Sequence, residues 1–257
     1  MRLIISPAKK MIEDPDTFQT EGRPVFIEET EVLMRAVQAL SFAEAKMLWK
    51  CNDRLAELNF ERFRQMDLSR GMTPALIAYE GIQYQYLAPK TLEAEALAWL
   101  QEHLFILSGF YGILRPLDGV VPYRLEMQAA LSAGVSQDLY GFWGERIYAA
   151  LTGRNGEVSG VERDPIINLA SREYAKAVEP YLREEDRYIS CVFAERTDGK
   201  LRQKATLAKM ARGEMVRFLA ERRAEAEEEL KAFTRLGFAF SETDSDEKTY
   251  VFIKEAE

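Results

Sequence analysis

The stretch Leu104 to Met127, LFILSGFYGILRPLDGVVPYRLEM, constrains this chain more than any other. Its opening run, Leu104-Phe105-Ile106-Leu107, reads as a buried strand. Ser108 and Gly109 stop that run, Gly112 follows, and then come Arg115, Pro116 and Asp118. A second turn signal at Gly119 leads to Pro122, Tyr123, Arg124 and Glu126. Strand ends and the loops after them hold polar groups at the edge of a packed scaffold. A core strand that ends in glycines and then shows two arginines and two acids is therefore arranged as a site would be. The same residues also suit a strand, a tight turn and surface ion pairs, and spacing alone leaves both readings open.

Around this stretch the pattern alternates. Leu3-Ile4-Ile5 reads as a first strand, with Ser6-Pro7-Ala8-Lys9-Lys10 as the loop at its C-terminal end, where ligands are met in α/β sheets. Residues 11 to 24 are polar and irregular, and Val32, Leu33, Ala36, Val37 and Leu40 recur at helical spacing. Ser41-Phe42-Ala43-Glu44 is a capping box that opens a helix to about Ala56. A break near Leu58-Asn59 and a second short helix to Met66 give a helical hairpin over Ala45 to Met66. Such a hairpin is either plain core or, in DNA-binding versions, a phosphate grip.

Ala75 to Tyr79 reads as a strand and Thr91 to His103 as a helix. Leu139 to Leu151 is helical. Residues 152 to 164 form a Gly-rich loop, Ile166 to Ala170 a strand, and Ser171 caps a helix through Val178. Tyr188 to Phe193 is a strand that turns at Thr197-Asp198-Gly199-Lys200, and Thr206 to Arg222 is a basic helix. Glu225 to Leu230 is an acidic solvated run, and Leu236 to Phe240 pairs with Tyr250 to Ile253 as a closing hairpin. With no repeat and no linker, the reading is one mixed α/β (α+β) domain over 1–257, a central sheet with surrounding helices.

Several function classes fall away. No apolar run approaches the length of a membrane span, and the apolar start before Pro7 is too short for a secretory signal, so a cytoplasmic protein is expected. Cys51 and Cys191 stand in no metal-type spacing and are expected as free thiols. His103 is the single histidine and sits where a helix end is expected. No metal site, cofactor motif, phosphate loop or nucleophile elbow is present. Asp118 and Glu126 could serve a metal nuclease, but Arg115 and Arg124 lie beside them and ion pairing is the expected use.

Formal net charge is −8, which argues against nucleic acid. The charge is uneven, however: Arg196 to Arg223 holds nine basic residues against three acids, and Ala224 to Glu257 four against ten. Local basic surface decides where an anion is steered. Five cations stand next to glycine turns or on the basic helix: Lys9, Arg115, Arg124, Lys209 and Arg212. They suit binding a polyanion better than breaking a bond, so no catalytic residue is assigned.

Several long motifs resemble one family in order. They are Ile5-Ser6-Pro7-Ala8-Lys9, Leu107 to Asp118, Pro122 to Met127, Leu139-Tyr140-Gly141-Phe142-Trp143-Gly144, Asn168 to Tyr174, and Ala208-Lys209-Met210-Ala211-Arg212-Gly213. The family is the bacterial peroxide stress resistance protein YaaA family, also called UPF0246. The resemblance implies a one-domain, family-specific fold with a positively charged cleft and a helix-hairpin-helix element. It further implies binding to duplex or branched DNA, links to DNA protection and repair, and lowering of free intracellular iron. No enzymatic activity comes with it.

Two readings follow. In the first, DNA phosphates meet Lys9, Arg115, Arg124, Lys209 and Arg212 in one cleft, with Arg54 and Arg62 near the hairpin. In the second, an enzyme acts on a nucleotide, base or other phosphorylated compound in the same cleft, with Ser6, Ser108, Asp118, Tyr123 and Glu126 as its polar groups.

Overall fold

The strands that the apolar runs announce become the parallel centre of one sheet. The computed structural model describes residues 1–153 and 164–255. Most of the Gly-rich stretch expected as a loop lies outside the described residues. Along the chain the strands are β1 (Arg2–Ile5), β2 (Lys10–Met11), β3 (Thr73–Pro74), β4 (Tyr79–Glu80), β5 (Leu104–Ser108), β6 (Gly112–Leu114) and β7 (Gly119–Val120). Then come β8 (Ile166–Leu169), β9 (Tyr188–Thr197), β10 (Lys200–Arg202), β11 (Ala239–Phe240) and β12 (Thr249–Glu255). The first helices are α1 (Ile27–Gln38), α2 (Phe42–Trp49), α3 (Asp53–Arg64), α4 (Ala75–Ala78) and α5 (Ile82–Leu87). They are followed by α6 (Ala94–His103), α7 (Leu139–Trp143), α8 (Arg146–Thr152), α9 (Arg172–Ala175) and α10 (Ala205–Arg222).

The main sheet has eight strands in the order β11-β12-β9-β8-β1-β5-β6, with β10 beside β9. β1 pairs in parallel with both β5 and β8, and β8 with β9. Leu3, Ile4 and Ile5 are fully buried, as is the whole of β5. Strands buried on both faces read as continuous apolar runs, and these do. The chain leaves β1 for β5 on one side and later returns to β8 on the other. The order therefore reverses at β1, and in open α/β sheets a crevice opens outside the strand ends at such a point.

α10 lies against α5 at unusually short range. A Cβ on Gly213 would sit 2.1 Å from the backbone oxygen of Gln83, so the two helices touch backbone to backbone there. His103 ends α6 as expected, stacked on Trp99 with Nδ1 2.8 Å from the Met1 carbonyl.

Four local expectations are corrected. The helical break falls at Lys50 to Asn52, not at Leu58-Asn59. Lys50 adopts the left-handed conformation that ends α2, and the Asn52 side chain accepts from the Leu55 N–H to start α3. Asn59 is instead buried inside α3, its amide donating to the Leu55 carbonyl at 2.7 Å.

Ala75 to Ala78 is a buried helical turn rather than a strand. The N–H groups of Ala75 and Leu76 find the carbonyls of Asp118 and Pro116 in a neighbouring loop, so no ladder is needed. The helix after Ser171 is a single turn, Arg172–Ala175. Leu139 to Leu151 divides at Gly144, whose φ of +48° ends α7.

Candidate functional site

Three strand ends form the floor of a cleft. Because β1, β5 and β8 run parallel, the residues after them emerge at one edge. Ser6, just past β1, accepts at Oγ from the Ser171 N–H at 2.8 Å, and its Oγ lies 3.2 Å from the Ser171 Oγ. Ser171 follows β8, so this pair ties two loops across the sheet. Tyr84 of α5 donates to the Ser6 carbonyl at 3.0 Å and ties in a third element.

Glycine decides what crosses that floor. A Cβ on Gly109 would stand 2.6 Å from the Leu125 carbonyl oxygen and 2.9 Å from the Met127 nitrogen. The strap from Tyr123 to Met127 therefore passes directly over the end of β5. It carries Tyr123, Arg124 and Glu126 into the cleft wall. Beneath it, Ser108 Oγ accepts from the N–H groups of Phe110 and Tyr111 at 3.1 and 2.9 Å. With its acceptor sites filled, Ser108 donates to the Tyr123 hydroxyl at 2.6 Å, which passes the chain on to Tyr79 at 2.8 Å. Burial pushes the Tyr123 hydroxyl up to about 12, so it stays protonated and structural at neutral pH.

The cleft holds about 390 Å³. Five basic residues line it (Lys9, Lys10, Arg124, Lys209 and Arg212) against three acids, Glu80, Glu126 and Glu173. Lys9 and Arg124 share Glu126, at 2.7 and 3.1 Å, and Lys10 pairs with Glu80 at 2.8 Å. Lys209 and Arg212 of α10 have no ion-pair partner among the described residues. Burial lowers the pKa of the Arg212 guanidinium from its ordinary value, without threatening its charge. Burial also raises the Glu173 carboxyl, whose Oε1 accepts from the Gln128 N–H at 3.2 Å.

Of the residues singled out from sequence, Lys9, Arg124, Lys209, Arg212, Ser6, Tyr123 and Glu126 all line this cleft. Arg115 and Asp118 do not. β6 runs antiparallel to β5, pairing Leu114 with Ile106, so the chain is carried back toward the opposite edge of the sheet. There Arg115 bonds the Gln101 carbonyl and lies 4.5 Å over the Phe105 ring, and Asp118 accepts from the Arg115 N–H at 2.8 Å. Desolvation raises Asp118 to about 6, an effect of packing at that edge.

Ser108 is fully buried behind Tyr123 rather than in the wall. Arg54 is exposed on α3 and Arg62 reaches the Met11 carbonyl at 3.5 Å, and neither lines the cleft. The hairpin meets the site at the Trp49 carbonyl, which accepts from Arg124 at 3.5 Å, and at the Met11 carbonyl bonded by Arg62.

Sequence reasoning missed Glu173, Ser171 and Gln83 as lining groups. Ser171 and Glu173 sit just past a parallel strand, which is a usable signal. Gln83 lies beside Tyr84 and Tyr86, and nothing local marks it. Both cysteines are free, and burial pushes the Cys191 thiol up to about 12. Among the described residues, no group of three or more His, Cys, Asp or Glu side chains is placed to hold a metal, and no helix is long and apolar enough to cross a membrane.

Fold and cleft together define a mixed α/β protein with a crevice, lined by five basic and three acidic residues, at the reversal point of its sheet. Residues 1–244 match the family described as peroxide stress protein YaaA. A UPF0246 protein of Lachnoclostridium phytofermentans is 50% identical over 254 residues, covering 99% of this chain and 96% of that one. A UPF0246 protein of Lactiplantibacillus plantarum is 49% identical over 253 residues, at 98% and 99% coverage. One from Agathobacter rectalis is 46% identical over 252 residues, with 98% of each covered. The chain belongs to the YaaA/UPF0246 peroxide stress family.

Proposed function

We propose that this protein binds DNA during peroxide stress, with strand phosphates drawn to the Lys9, Arg124, Lys209 and Arg212 cleft. The observation that supports this most is convergence. The four cations come from three stretches far apart in sequence, and two of them stand without carboxylate partners among the described residues. The other two share one acid, so the field is moderate, as fits an acidic chain. Arg115 is no part of the reading, and Arg54 and Arg62 are at most auxiliary.

Fluorescence anisotropy with duplex and branched oligonucleotides over a salt series tests it. Neutralising about three phosphates gives a slope near −3 in log affinity against log salt, from roughly 0.9 per phosphate. Lys209→Ala reduces that slope by about one. Affinity that is flat in salt, or indifferent to Lys209→Ala and Arg212→Ala together, overturns the reading.

A second reading, turnover of a nucleotide or other phosphorylated compound in the same cleft, is favoured by one observation. Glu173 lines the wall with its carboxyl raised by burial, which would suit proton transfer. Labelled DNA and nucleotides incubated with the pure protein, with and without divalent metals, separate the two: unchanged substrate throughout leaves binding alone.

A further inference from the structure

Three donors in the cleft wall lack partners. Gln83 is only 7% exposed, and its Nε2 has no hydrogen-bond partner among the described residues. The same is true of Nε on Arg212 and on Arg124. All three residues line the one cleft. Buried polar groups in folded proteins are nearly always paired, and each exception asks for an explanation. Each of these three atoms is itself covered, so a small side-chain rotation must turn it toward the cleft before it can donate. Three such exceptions around a single cleft are explained together by a ligand rich in acceptors.

The donors are of two kinds. A guanidinium matches a phosphate, and Lys209 beside it on α10 adds a second unpaired charge. A primary amide matches a group that offers an acceptor and a donor side by side, as the edge of a nucleobase does. The rest of the wall suits a ring. Ile82 and Leu125 are apolar, and the hydroxyls of Tyr84 and Tyr123 are committed inside the protein. Each tyrosine is only 4% exposed, so what they add to the wall is a thin apolar edge.

Size narrows the ligand further. A cleft of about 390 Å³ lies in the range that small ligands fill. A stacked base pair does not enter it, whereas one nucleotide does.

We propose, resting on the anion-binding reading above, that the cleft takes a single nucleotide unit with a terminal phosphate: phosphate on Lys209 and Arg212, base edge on Gln83. A terminal phosphate carries more charge than an internal diester, and two unpaired cations are there to meet it. The unit is supplied either as a free mononucleotide or as the phosphorylated end of a strand.

The test uses the full chain. Calorimetric titration with AMP, GMP, CMP, UMP, adenosine and inorganic phosphate is run beside anisotropy with single strands bearing a 5′-phosphate or a 5′-hydroxyl. At least one mononucleotide binds at least about tenfold tighter than adenosine, or the phosphorylated strand at least about tenfold tighter than its hydroxyl counterpart. The first result alone identifies the free nucleotide as the source, and the second alone the strand end. Gln83→Ala weakens the preferred ligand about tenfold and leaves inorganic phosphate unchanged, while Arg212→Ala weakens both. Gln83→Met, closer in shape, repeats the loss if the alanine variant fails to fold.

The single-unit proposal is overturned if no mononucleotide binds and the 5′-hydroxyl strand binds as well as the 5′-phosphate strand. It is also overturned if both Gln83 variants bind as the parent does. Salt-steep strand binding that persists in those cases leaves the DNA reading standing, and its loss removes both.

Discussion

Replacing Gly213 by alanine tests the packing that brings α10 to the cleft, because two effects of opposite sign compete there. Gly213 lies inside α10, and alanine in a helix interior is favoured over glycine by about 1 kcal/mol. If the site were open, Gly213→Ala would stabilise the protein by that amount. The structure says otherwise: the new Cβ would stand 2.1 Å from the Gln83 carbonyl oxygen and 3.0 Å from the Leu87 nitrogen. Both are backbone atoms, so no rotamer change relieves the contact and α5 must move by about an ångström. Overpacking of this kind costs typically 1–3 kcal/mol, and a backbone clash belongs at the upper end, about 3.

The net effect is a loss of about 2 kcal/mol. For a chain of this size that lowers Tm by about 4–8 °C. Thermal and urea denaturation followed by circular dichroism read it directly. Anion binding should weaken in parallel, because Gln83 and Arg212 belong to the two helices being pushed apart. A variant as stable as the parent, or more stable, would falsify the close approach of α10 and α5.

The remaining predictions concern charge and the hydrogen bonds at the strand ends. Glu126 pairs with both Lys9 and Arg124, so Glu126→Gln should tighten strand binding several-fold at low salt, read by anisotropy; weaker binding would show that the carboxylate is needed by the ligand. Asp118 has its folded pKa raised to about 6 from 3.8, so its ionisation disfavours the folded state. Its contribution is fully present below pH 3.8 and lost as pH rises through 6, so the parent should lose up to roughly 3 kcal/mol relative to Asp118→Asn between pH 4 and pH 7. A stability difference that is flat or grows with pH over that window contradicts the assignment. Tyr123→Phe removes the hydroxyl shared by Ser108 and Tyr79, and urea denaturation should show a loss of about 1–3 kcal/mol from the two buried groups left behind. Ser6→Ala strands the Ser171 N–H and should cost about 1–2 kcal/mol, with an unchanged melting curve as the contrary result.

The sequence by itself determined the pieces whose causes are local. Leu3-Ile4-Ile5 and Leu104 to Leu107 are apolar without interruption, as strands buried on both faces are, and they fold that way. Ser41 and Glu44 form the capping box their spacing announces. Motif order was enough to place the chain in its family. Ala75 to Ala78, read as a strand, is a helical turn: a short apolar run does not fix its own conformation, and a loop offering carbonyls to Ala75 and Leu76 did.

Site membership was decided only in three dimensions. Arg115 and Arg124 are nine positions apart and look alike in sequence, yet one lies toward the far edge of the sheet and the other in the cleft. The antiparallel return of β6 separates them, and the glycine that lets the Tyr123 to Met127 strap cross β5 brings the second one in. Gln83 is further still from legibility, since its place in the wall depends on how closely α10 approaches α5. Strand direction and backbone contact are relations between distant segments, and no local pattern encodes them.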